Sequence, residues 1–349
     1  MDVTNVAVTG ISGLLGQRVL LRLDASPGVD RIVGLDLRDP ERHTDRLEMH
    51  RVDIVTAPLA ELLAGVEVLV HLAAIVDPMP DDSQESRVNV EGTRRVLDAA
   101  REVGVRKIVR VSTAAVYGAW ANNPVPLTEA APLRPNPGFG PAVQGAEVER
   151  LLTDWQVEHS EVVVTTLRAA PVLGRGAAHL WARLLAGRPA ISVRGAAPPV
   201  QTVHADDVAD AIMLAAEHDL PGPYNVAADG WLDAGDAAAL RRRRPAAVPA
   251  EMLARALARL WSIGFGDVPA EALPYLTYSW VIANDRLRAA GWRPTHTNEE
   301  TLIETVAALT KPFPKGRAAI AAGVVAGLAG AAAGGAILVR RSRSHAGGK

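Results

Sequence analysis

The stretch NVAVTGISGLLGQRVLLRL, residues 5–23, places three glycines between a short apolar run and a helical pattern. Residues 5–10 are typical of a buried strand, and residues 14–23 are typical of a helix. Gly10 permits a tight turn after the strand, Gly13 lets the backbone approach a pyrophosphate, and Gly16 lets helix and strand pack closely. The amides at the start of the helix would then meet the phosphates. This stretch therefore predicts a dinucleotide-binding turn.

A second apolar run, residues 31–36, ends at Asp36. Its carboxylate can accept hydrogen bonds from both hydroxyls of an adenosine ribose, and its charge would repel a 2′-phosphate. The cofactor is therefore predicted to be NAD rather than NADP, although Arg38 would soften that preference. Ser12 and Leu14, from the glycine loop, complete this group of predicted cofactor-binding residues.

The rest of the chain continues the alternation of strand and helix. Three more strands are predicted at residues 66–74, 107–113 and 162–168, with helical patterns between them such as 89–103. The predicted fold is α/β: a Rossmann-type doubly wound parallel sheet over residues 1–168, with a smaller C-terminal α/β lobe over residues 169–310. The segment 235–262 is Ala/Arg-rich, which predicts a helix.

Composition excludes several classes of function. The 349 residues carry a formal net charge of −2, which gives no reason to expect a nucleic-acid partner. The absence of cysteine excludes disulfides, thiolate nucleophiles and cysteine-ligated metals. No metal site is predicted.

The C-terminus has a different composition. A Pro/Gly linker, residues 311–317, leads into residues 318–339, which are 22 residues without a charged side chain, and a basic tail follows at 340–349. That length can cross a hydrocarbon core. We expect a transmembrane helix that anchors a cytoplasmic domain, since no signal peptide precedes residue 5; a disordered Ala/Gly tail is the alternative.

Several motifs occur in the order typical of one enzyme family. They are TGISGLLG (9–16), GLDLR (34–38), HLAA (71–74), NVEGT (89–93), VSTAAVYG (111–118), VHADDVA (203–209), YNVA (224–227) and GWRP (291–294). The chain resembles the extended short-chain dehydrogenase/reductase family, also called the NAD-dependent epimerase/dehydratase family, from about residue 5 to 310. The resemblance implies that Asp53 and Ile54 flank the adenine, that Ala73 and Ala74 line the pyrophosphate, and that Asn89 lies beside the cofactor. It also implies a possible homodimer.

Active members of this family carry a Ser/Thr, a Tyr, and a Lys four residues after the Tyr. The phenol exchanges a proton with the substrate, and the ammonium lowers its pKa. Thr113 matches the Ser/Thr. Aligning Ala146–Glu147 with the family's Ala-Glu, four residues after the Lys, puts Phe139 at the Tyr and Val143 at the Lys. The catalytic pair is therefore predicted to be absent, and Tyr117 is predicted to pack rather than react.

The side chains that would bind a substrate diphosphate are predicted to be absent as well. Val200 stands where family members that act on sugar nucleotides carry an arginine, and Pro171 stands where an asparagine is frequent. Gln201 or Arg194 could substitute.

No side chain offers itself as a replacement proton donor. His71, His204, Asp206, Asp207 and Glu147 qualify by residue type alone. We interpret His71 as a core histidine, and His204 with the two aspartates as the start of a helix.

Three hypotheses about function follow. The first is a membrane-tethered NAD-binding protein without ordinary catalysis, which works as a sensor, scaffold or partner subunit. The second is an atypical NAD-dependent oxidoreductase or epimerase acting on an apolar or lipid-linked substrate. The third is that only the fold is kept and the cofactor site is lost, so whether the protein is an enzyme is left open by the sequence.

Overall fold

The computed structural model describes residues 4–187, 190–241 and 245–309. Eleven strands lie within these ranges: β1 (Thr4–Thr9), β2 (Val29–Asp36), β3 (Leu47–Arg51), β4 (Val68–His71), β5 (Lys107–Thr113), β6 (Val163–Ala169), β7 (Val172–Leu173), β8 (Ile191–Val193), β9 (Val203–His204), β10 (Gly222–Val226) and β11 (Ala246–Val248).

Eleven α-helices accompany the described strands: α1 (Leu14–Ala25), α2 (Leu59–Leu62), α3 (Asp82–Ser86), α4 (Gly92–Val103), α5 (Gly140–Glu158), α6 (Leu180–Ala186), α7 (Ala205–Glu217), α8 (Ala234–Leu240), α9 (Ala250–Ser262), α10 (Asp285–Ala289) and α11 (Asn298–Leu309). A π-helical turn, Arg87–Glu91, precedes α4, so the helix predicted from residue 89 begins with a different hydrogen-bond pattern. The predicted helix 235–262 is two helices, α8 and α9, separated by β11.

Seven strands form one parallel sheet in the order β10-β6-β5-β4-β1-β2-β3. The chain runs outward from β1 through β2 to β3 and then continues on the other side of β1 with β4. The order therefore reverses between β1 and β4, where open α/β sheets bind ligands at the carboxyl ends of their strands. This confirms the predicted Rossmann-like α/β fold.

Helices cover both faces of this sheet because its strands are apolar on both sides. In β1, Val6 and Val8 pack toward α1 and α7, whereas Ala7 packs in a second core with α2, α4 and α5. Burying each Val or Leu stabilises the fold by about 1.5–3 kcal/mol.

The small lobe is built from segments that follow β6. Its two-stranded sheet pairs β8 with β11, and α6, α8 and α9 lie around it. Strand β10, which falls within the range 169–310 expected for the small lobe, lies in the main sheet. The predicted linker 311–317, helix 318–339 and tail 340–349 lie outside the described residues. None of the helices within the described ranges combines the length and apolar character that crossing a bilayer needs.

Candidate active site

The glycine loop between β1 and α1 has no room for a side chain at Gly10 or Gly16. Gly10 has a φ of +72°, and a Cβ there would lie 2.7 Å from the backbone nitrogen of Ala73. A Cβ on Gly16 would lie 2.3 Å from the carbonyl oxygen of Gly10. Gly13 caps α1, whose first turn carries no acidic residue to offset its positive end. These residues fit the pyrophosphate of a dinucleotide.

Asp36 connects the end of β2 to the glycine loop. Its carboxylate accepts hydrogen bonds from the backbone N–H of Ser12 at 3.0 Å and of Arg38 at 3.2 Å. The Ser12 hydroxyl donates to the carbonyl of Arg38 at 2.5 Å. Asp36 is partly exposed at the edge of the loop, so its free lone pairs remain available for ribose hydroxyls.

The loops after β3 and β4 carry the other predicted cofactor-binding residues. Asp53 accepts a hydrogen bond from the backbone N–H of Val55 at 2.9 Å, and Ile54 is buried against Gly92. Ala73, in the loop after β4, is the residue that approaches Gly10. Ile54 and Ala73 thus each pack closely against a glycine of another segment.

Asn89 holds the loop after β4 at the mouth of the cleft. Its amide exchanges two hydrogen bonds with the backbone of Ile75, at 2.8 and 3.0 Å, and donates a third to the side chain of Gln144 at 2.9 Å. Asn89 and Ala74 both line the cavity beside the glycine loop. The side chain of Asn89 therefore positions backbone groups around the cavity.

A cavity of about 280 Å³ opens from the glycine loop toward the end of β5. Eight of the residues predicted from the sequence line it: Gly10, Gly13, Leu14, Gly16, Ala74, Asn89, Thr113 and Phe139. Ser12, Asp36, Arg38, Asp53, Ile54, Ala73 and Val143 lie outside its lining.

Thr113 ends β5 at the wall of this cavity. Its hydroxyl oxygen accepts a hydrogen bond from the backbone N–H of Ala115 at 3.2 Å, which caps a short 3-10 turn, Ala114–Tyr117. Because the oxygen is the acceptor in that contact, its hydrogen can be donated to a ligand in the cavity.

Phe139 lies in the wall and leaves the cavity open. Its side chain is 1% exposed, and its ring centroid lies 5.1 Å from that of Tyr275 and 5.8 Å from that of Trp181. These distances are typical of packed aromatic pairs. The ring is held in an aromatic cluster beside the space where a substrate would lie.

Helix α5 presents different residues to the cavity from those predicted. Val143 is 37% exposed and does not line the cavity, whereas Pro141 and Gly145 do. Gly145 approaches Thr113 closely: a Cβ on Gly145 would lie 3.7 Å from the Thr113 methyl carbon.

A buried ion pair explains why α5 presents Pro141 and Gly145, and not Val143, to the cavity. Glu149 accepts charge-assisted hydrogen bonds from Arg168 at 2.6 and 2.8 Å, and a third from the hydroxyl of Ser112 at 2.6 Å. Glu147, used to align the helix from sequence, is exposed. Counting back from Glu149 instead moves the Tyr and Lys positions from Phe139 and Val143 to Pro141 and Gly145, neither of which can exchange a proton or carry charge.

His71 is a core histidine, as interpreted from the sequence. Its ring nitrogens lie 2.7 Å from the hydroxyl of Thr9 and 2.9 Å from that of Thr93. Burial lowers its pKa well below the ordinary value, and the charge of Arg110 lowers it further. The imidazole is therefore neutral and fully engaged.

The cluster around His204 fixes the start of α7, as expected. The ring of His204 accepts a hydrogen bond from the backbone N–H of Asp206 at 3.2 Å. Asp207 is fully buried and accepts hydrogen bonds from the backbone N–H groups of Thr295 and His296 at 3.0 and 3.1 Å. Each of these groups already has a structural partner.

Tyr117 also packs, as predicted. Its hydroxyl donates to Asn225 and accepts from Arg168, both at 2.8 Å. Burial raises the pKa of Tyr117 to about 12, against the opposing effect of Arg168. A buried phenol with that pKa is a poor proton carrier at neutral pH.

Among the lining residues that did not emerge from the sequence are Arg110, His179 and Trp181. Burial lowers the pKa of Arg110 to about 10, despite the nearby charge of Glu149. The ring of His179 lies 2.7 Å from the carbonyl oxygen of Val172, to which it can donate a hydrogen bond, and burial lowers its pKa. Arg110 had a visible signal, since it interrupts the apolar side of β5.

A second cavity of about 110 Å³ adjoins the first in the small lobe. Ala170, Pro171 and Trp181 line both cavities, so the two share a wall. Tyr275 and Trp280 add further aromatic surface to the second cavity.

The two positions predicted to lack a phosphate ligand, Val200 and Pro171, lie in the wall of this cavity. Val200 lines it and pairs with the backbone of Leu232 at 2.8 Å. The amide of Gln201 is saturated, because it exchanges hydrogen bonds with the backbone of Ile282 and donates to Gly230. Arg194 is exposed and outside the lining. Neither proposed substitute therefore offers a phosphate ligand in this geometry.

Comparisons with known proteins agree with the fold and the glycine loop. Residues 6–227 match the model of the NAD dependent epimerase/dehydratase family. A Streptomyces sp. protein named 3-diazoavenalumate denitrifying reductase is 30% identical over 83% of this chain and 96% of its own length. The UDP-glucose 4-epimerase of Mycolicibacterium smegmatis is 32% identical over 60% of this chain and 72% of its own length.

Solved structures show the same architecture. The UDP-glucose 4-epimerase of Thermus thermophilus, in complex with NAD, superposes with a TM-score of 0.68 over 89% of this chain and 100% of its own, at 24% identity. That likeness shows the fold. Because the family model covers residues 6–227, which include the glycine loop, Thr113 and the ion pair beneath α5, the chain belongs to the NAD-dependent epimerase/dehydratase family.

Proposed function

We propose that this protein is an NAD-dependent oxidoreductase that acts on an apolar, aromatic substrate without the family's Tyr/Lys pair. The observation that carries the proposal is the open cavity that runs from the glycine loop past Thr113 to Trp181, with a second, aromatic-lined cavity on the same wall. Phe139 does not fill that space, since its ring packs against Tyr275 in the wall.

The cofactor is held by the chain's backbone and by Asp36. The amides at the start of α1 bind the pyrophosphate, and the carboxylate of Asp36 binds the adenosine ribose and disfavours a 2′-phosphate. NAD supplies a hydride donor or acceptor when bound. The close approach of Ala73 to Gly10 leaves no room for a side chain at position 10.

The substrate half of the cavity orients the substrate. Thr113 donates a hydrogen bond to a polar atom of the substrate, and Trp181 covers its apolar part. Pro141 and Gly145 contribute neither acid nor base, so a proton that the reaction needs reaches the substrate from water next to Thr113. A reductase among the relatives, the Streptomyces protein at 30% identity, supports hydride transfer as the reaction type.

A deuterium-transfer screen tests the proposal. The purified full chain is incubated with NADH deuterated at both C4 positions and a panel of aromatic aldehydes, enones and their carboxylic-acid derivatives, and products are analysed by mass spectrometry. We expect deuterium in at least one product, lost in Gly13→Asp and retained in Phe139→Leu at reduced rate. A panel without any labelled product would contradict the proposal.

The second candidate is an NAD-binding protein without turnover that works as a sensor, scaffold or partner subunit. One observation favours it: the cavity-facing positions of α5 are Pro141 and Gly145. The same screen separates the two functions, because the second predicts that NADH binds to the wild type and that no product carries deuterium.

Attachment to a membrane through residues 318–339 is a further proposal, supported by 22 residues without a charge followed by arginines. In cell fractionation, the full chain should sediment with membranes, and a chain ending at residue 309 should not. The expected homodimer is tested on the same truncated chain by light scattering. A face formed by α4 and α5, with Arg94 and Glu147 in a shallow groove, is the surface to mutate.

A further inference from the structure

The second cavity is lined by a cation that has no ion-pair partner among the described residues. Arg241 lies at the end of α8 and lines the cavity. Its Nε is buried and makes no hydrogen bond, and the guanidinium forms no ion pair with any residue in the described part of the chain. Burial lowers the pKa of Arg241, and no neighbouring carboxylate in the described ranges offsets that effect.

The surroundings of this guanidinium are apolar. Trp181, Leu184, Ile191 and Ala237 belong to the same lining. Removing a charge from water into such a setting costs several kcal/mol unless an opposite charge or hydrogen-bond acceptors compensate. The other polar side chains do not supply an opposite charge. The amide of Gln201 is saturated, and Ser192 offers only a neutral hydroxyl.

We infer that Arg241 binds the carboxylate of the substrate, so that the second cavity accepts an aromatic or otherwise apolar monocarboxylic acid. This inference rests on the proposed function and specifies its substrate class. A guanidinium matches a carboxylate with two parallel hydrogen bonds, and the hydroxyl of Ser192 can add a third. The apolar body of the acid then lies along Trp181 toward Thr113.

A nucleoside diphosphate fits this cavity less well than a monocarboxylate. A diphosphate carries more than one negative charge, whereas the described lining provides one guanidinium as its single cation, with the Ser192 hydroxyl and the Trp181 indole N–H as neutral donors. Val200 and Pro171 add no donor at the positions they occupy. Charge balance therefore favours one carboxylate.

Calorimetric titration of the full chain, saturated with NADH, tests the assignment with two matched probes. They are 3-phenylpropanoate and 3-phenylpropanamide, which share their shape and differ in charge. The wild type should bind the acid at least about tenfold more tightly than the amide. UDP serves as the third probe and should bind more weakly than the acid.

Substitutions of Arg241 test whether its guanidinium is the group that binds the carboxylate. Arg241→Met should weaken binding of the acid about tenfold or more and leave the amide unchanged, and Arg241→Lys should recover part of the loss. Arg194→Met, which removes an exposed arginine of the same lobe, should match the wild type. An NADH titration of each variant shows whether the cofactor site is intact.

Three results would overturn the inference: equal binding of acid and amide by the wild type, unchanged acid binding in Arg241→Met, or tighter binding of UDP than of the acid. The first and third need no variant, so they stand even if Arg241→Met does not fold. Failure of the proposed function looks different. In that case the acid binds through Arg241 but no compound in the deuterium screen, acids included, is labelled.

Discussion

At the scale of single residues, Gly10 combines two demands that a side chain cannot meet. Its φ of +72° is a left-handed conformation, which costs about 1–2 kcal/mol for other residues. A Cβ would also overlap the backbone of Ala73, which cannot move without displacing the loop after β4. The glycine is therefore required by both conformation and space.

Alanine substitution separates these two demands. Gly104, at the end of α4, has a φ of +76° and nothing within 4 Å of a Cβ. Gly104→Ala should lower the free energy of unfolding by about 1 kcal/mol and leave NADH affinity unchanged. Gly10→Ala should cost about 3 kcal/mol or more and weaken NADH binding at least about tenfold, measured by urea unfolding and fluorescence titration. Equal effects of the two substitutions would contradict the shape assigned to the loop.

The buried imidazole of His71 makes stability depend on pH. Its pKa in the folded protein is well below 6.5, so below about pH 6.5 the unfolded chain binds a proton that the folded chain does not. Stability at this site is therefore complete above pH 6.5 and is lost as the pH falls, by up to about 1.4 kcal/mol per pH unit.

His71→Gln removes this titration and keeps a hydrogen-bonding side chain. Urea unfolding at pH 7 and pH 5 should show a smaller loss of stability on acidification for His71→Gln than for the wild type, by about 1–2 kcal/mol. His218→Gln, at an exposed position, should retain the wild-type loss. A His71→Gln protein with the full wild-type pH dependence would show that the imidazole is not buried neutral.

At the scale of elements, α5 is oriented by the pair of Glu149 with Arg168 on β6. Removing one member of a buried pair leaves the other charge uncompensated, which costs about 3–5 kcal/mol. Glu149→Gln should therefore destabilise the protein by about that amount in urea unfolding. Glu147→Gln, two residues earlier on the exposed face, should change stability by less than about 0.5 kcal/mol.

The double variant Glu149→Leu/Arg168→Met tests the cause. Because it removes both charges from the interior, it should be more stable than Glu149→Gln. If the double variant were the less stable of the two, packing rather than an unpaired charge would explain the loss, and the role given to the ion pair would be wrong.

The orientation of this helix could not be predicted from the sequence. Glu147 follows Ala146 and Glu149 follows Val148 on one helical pattern, and the sequence does not say which of the two glutamates is buried. The deciding partner, Arg168, is on another element. The absence of Tyr and Lys was predictable because no spacing of the chain's tyrosines and lysines supplies the pair, but the residues that replace them were not.

At the scale of the whole molecule, the sheet was predictable because its apolar strands and glycine turn are local signals. The strand β10 was harder to place, since it follows the first segments of the small lobe in the chain and returns to the main sheet. The second cavity depends on contacts between α6, α8 and the turn around Tyr275, which are distant in sequence. Arg241 begins a run of four arginines, residues 241–244, and such a run is typical of a solvated face when only the sequence is considered.

Cofactor binding should stabilise the whole chain. A ligand that binds the folded state at a hundred times its Kd adds about 2.7 kcal/mol, which raises the melting temperature by several degrees. NAD should produce this shift in the wild type and none in Gly13→Asp, whose carboxylate would lie in the loop that approaches the pyrophosphate. NADP should produce a smaller shift because of Asp36. A flat response of the wild type would mean that only the fold is kept.

The position of the nicotinamide in a crystal structure of the protein with NADH tests the central claim most directly. We predict that the nicotinamide ring lies in the open cavity, beside the hydroxyl of Thr113, with the ring of Phe139 still packed against Tyr275. A nicotinamide ring displaced into solvent, with Phe139 or Trp181 in its place, would contradict the account and leave the protein an NAD-binding member of its family without a working redox site.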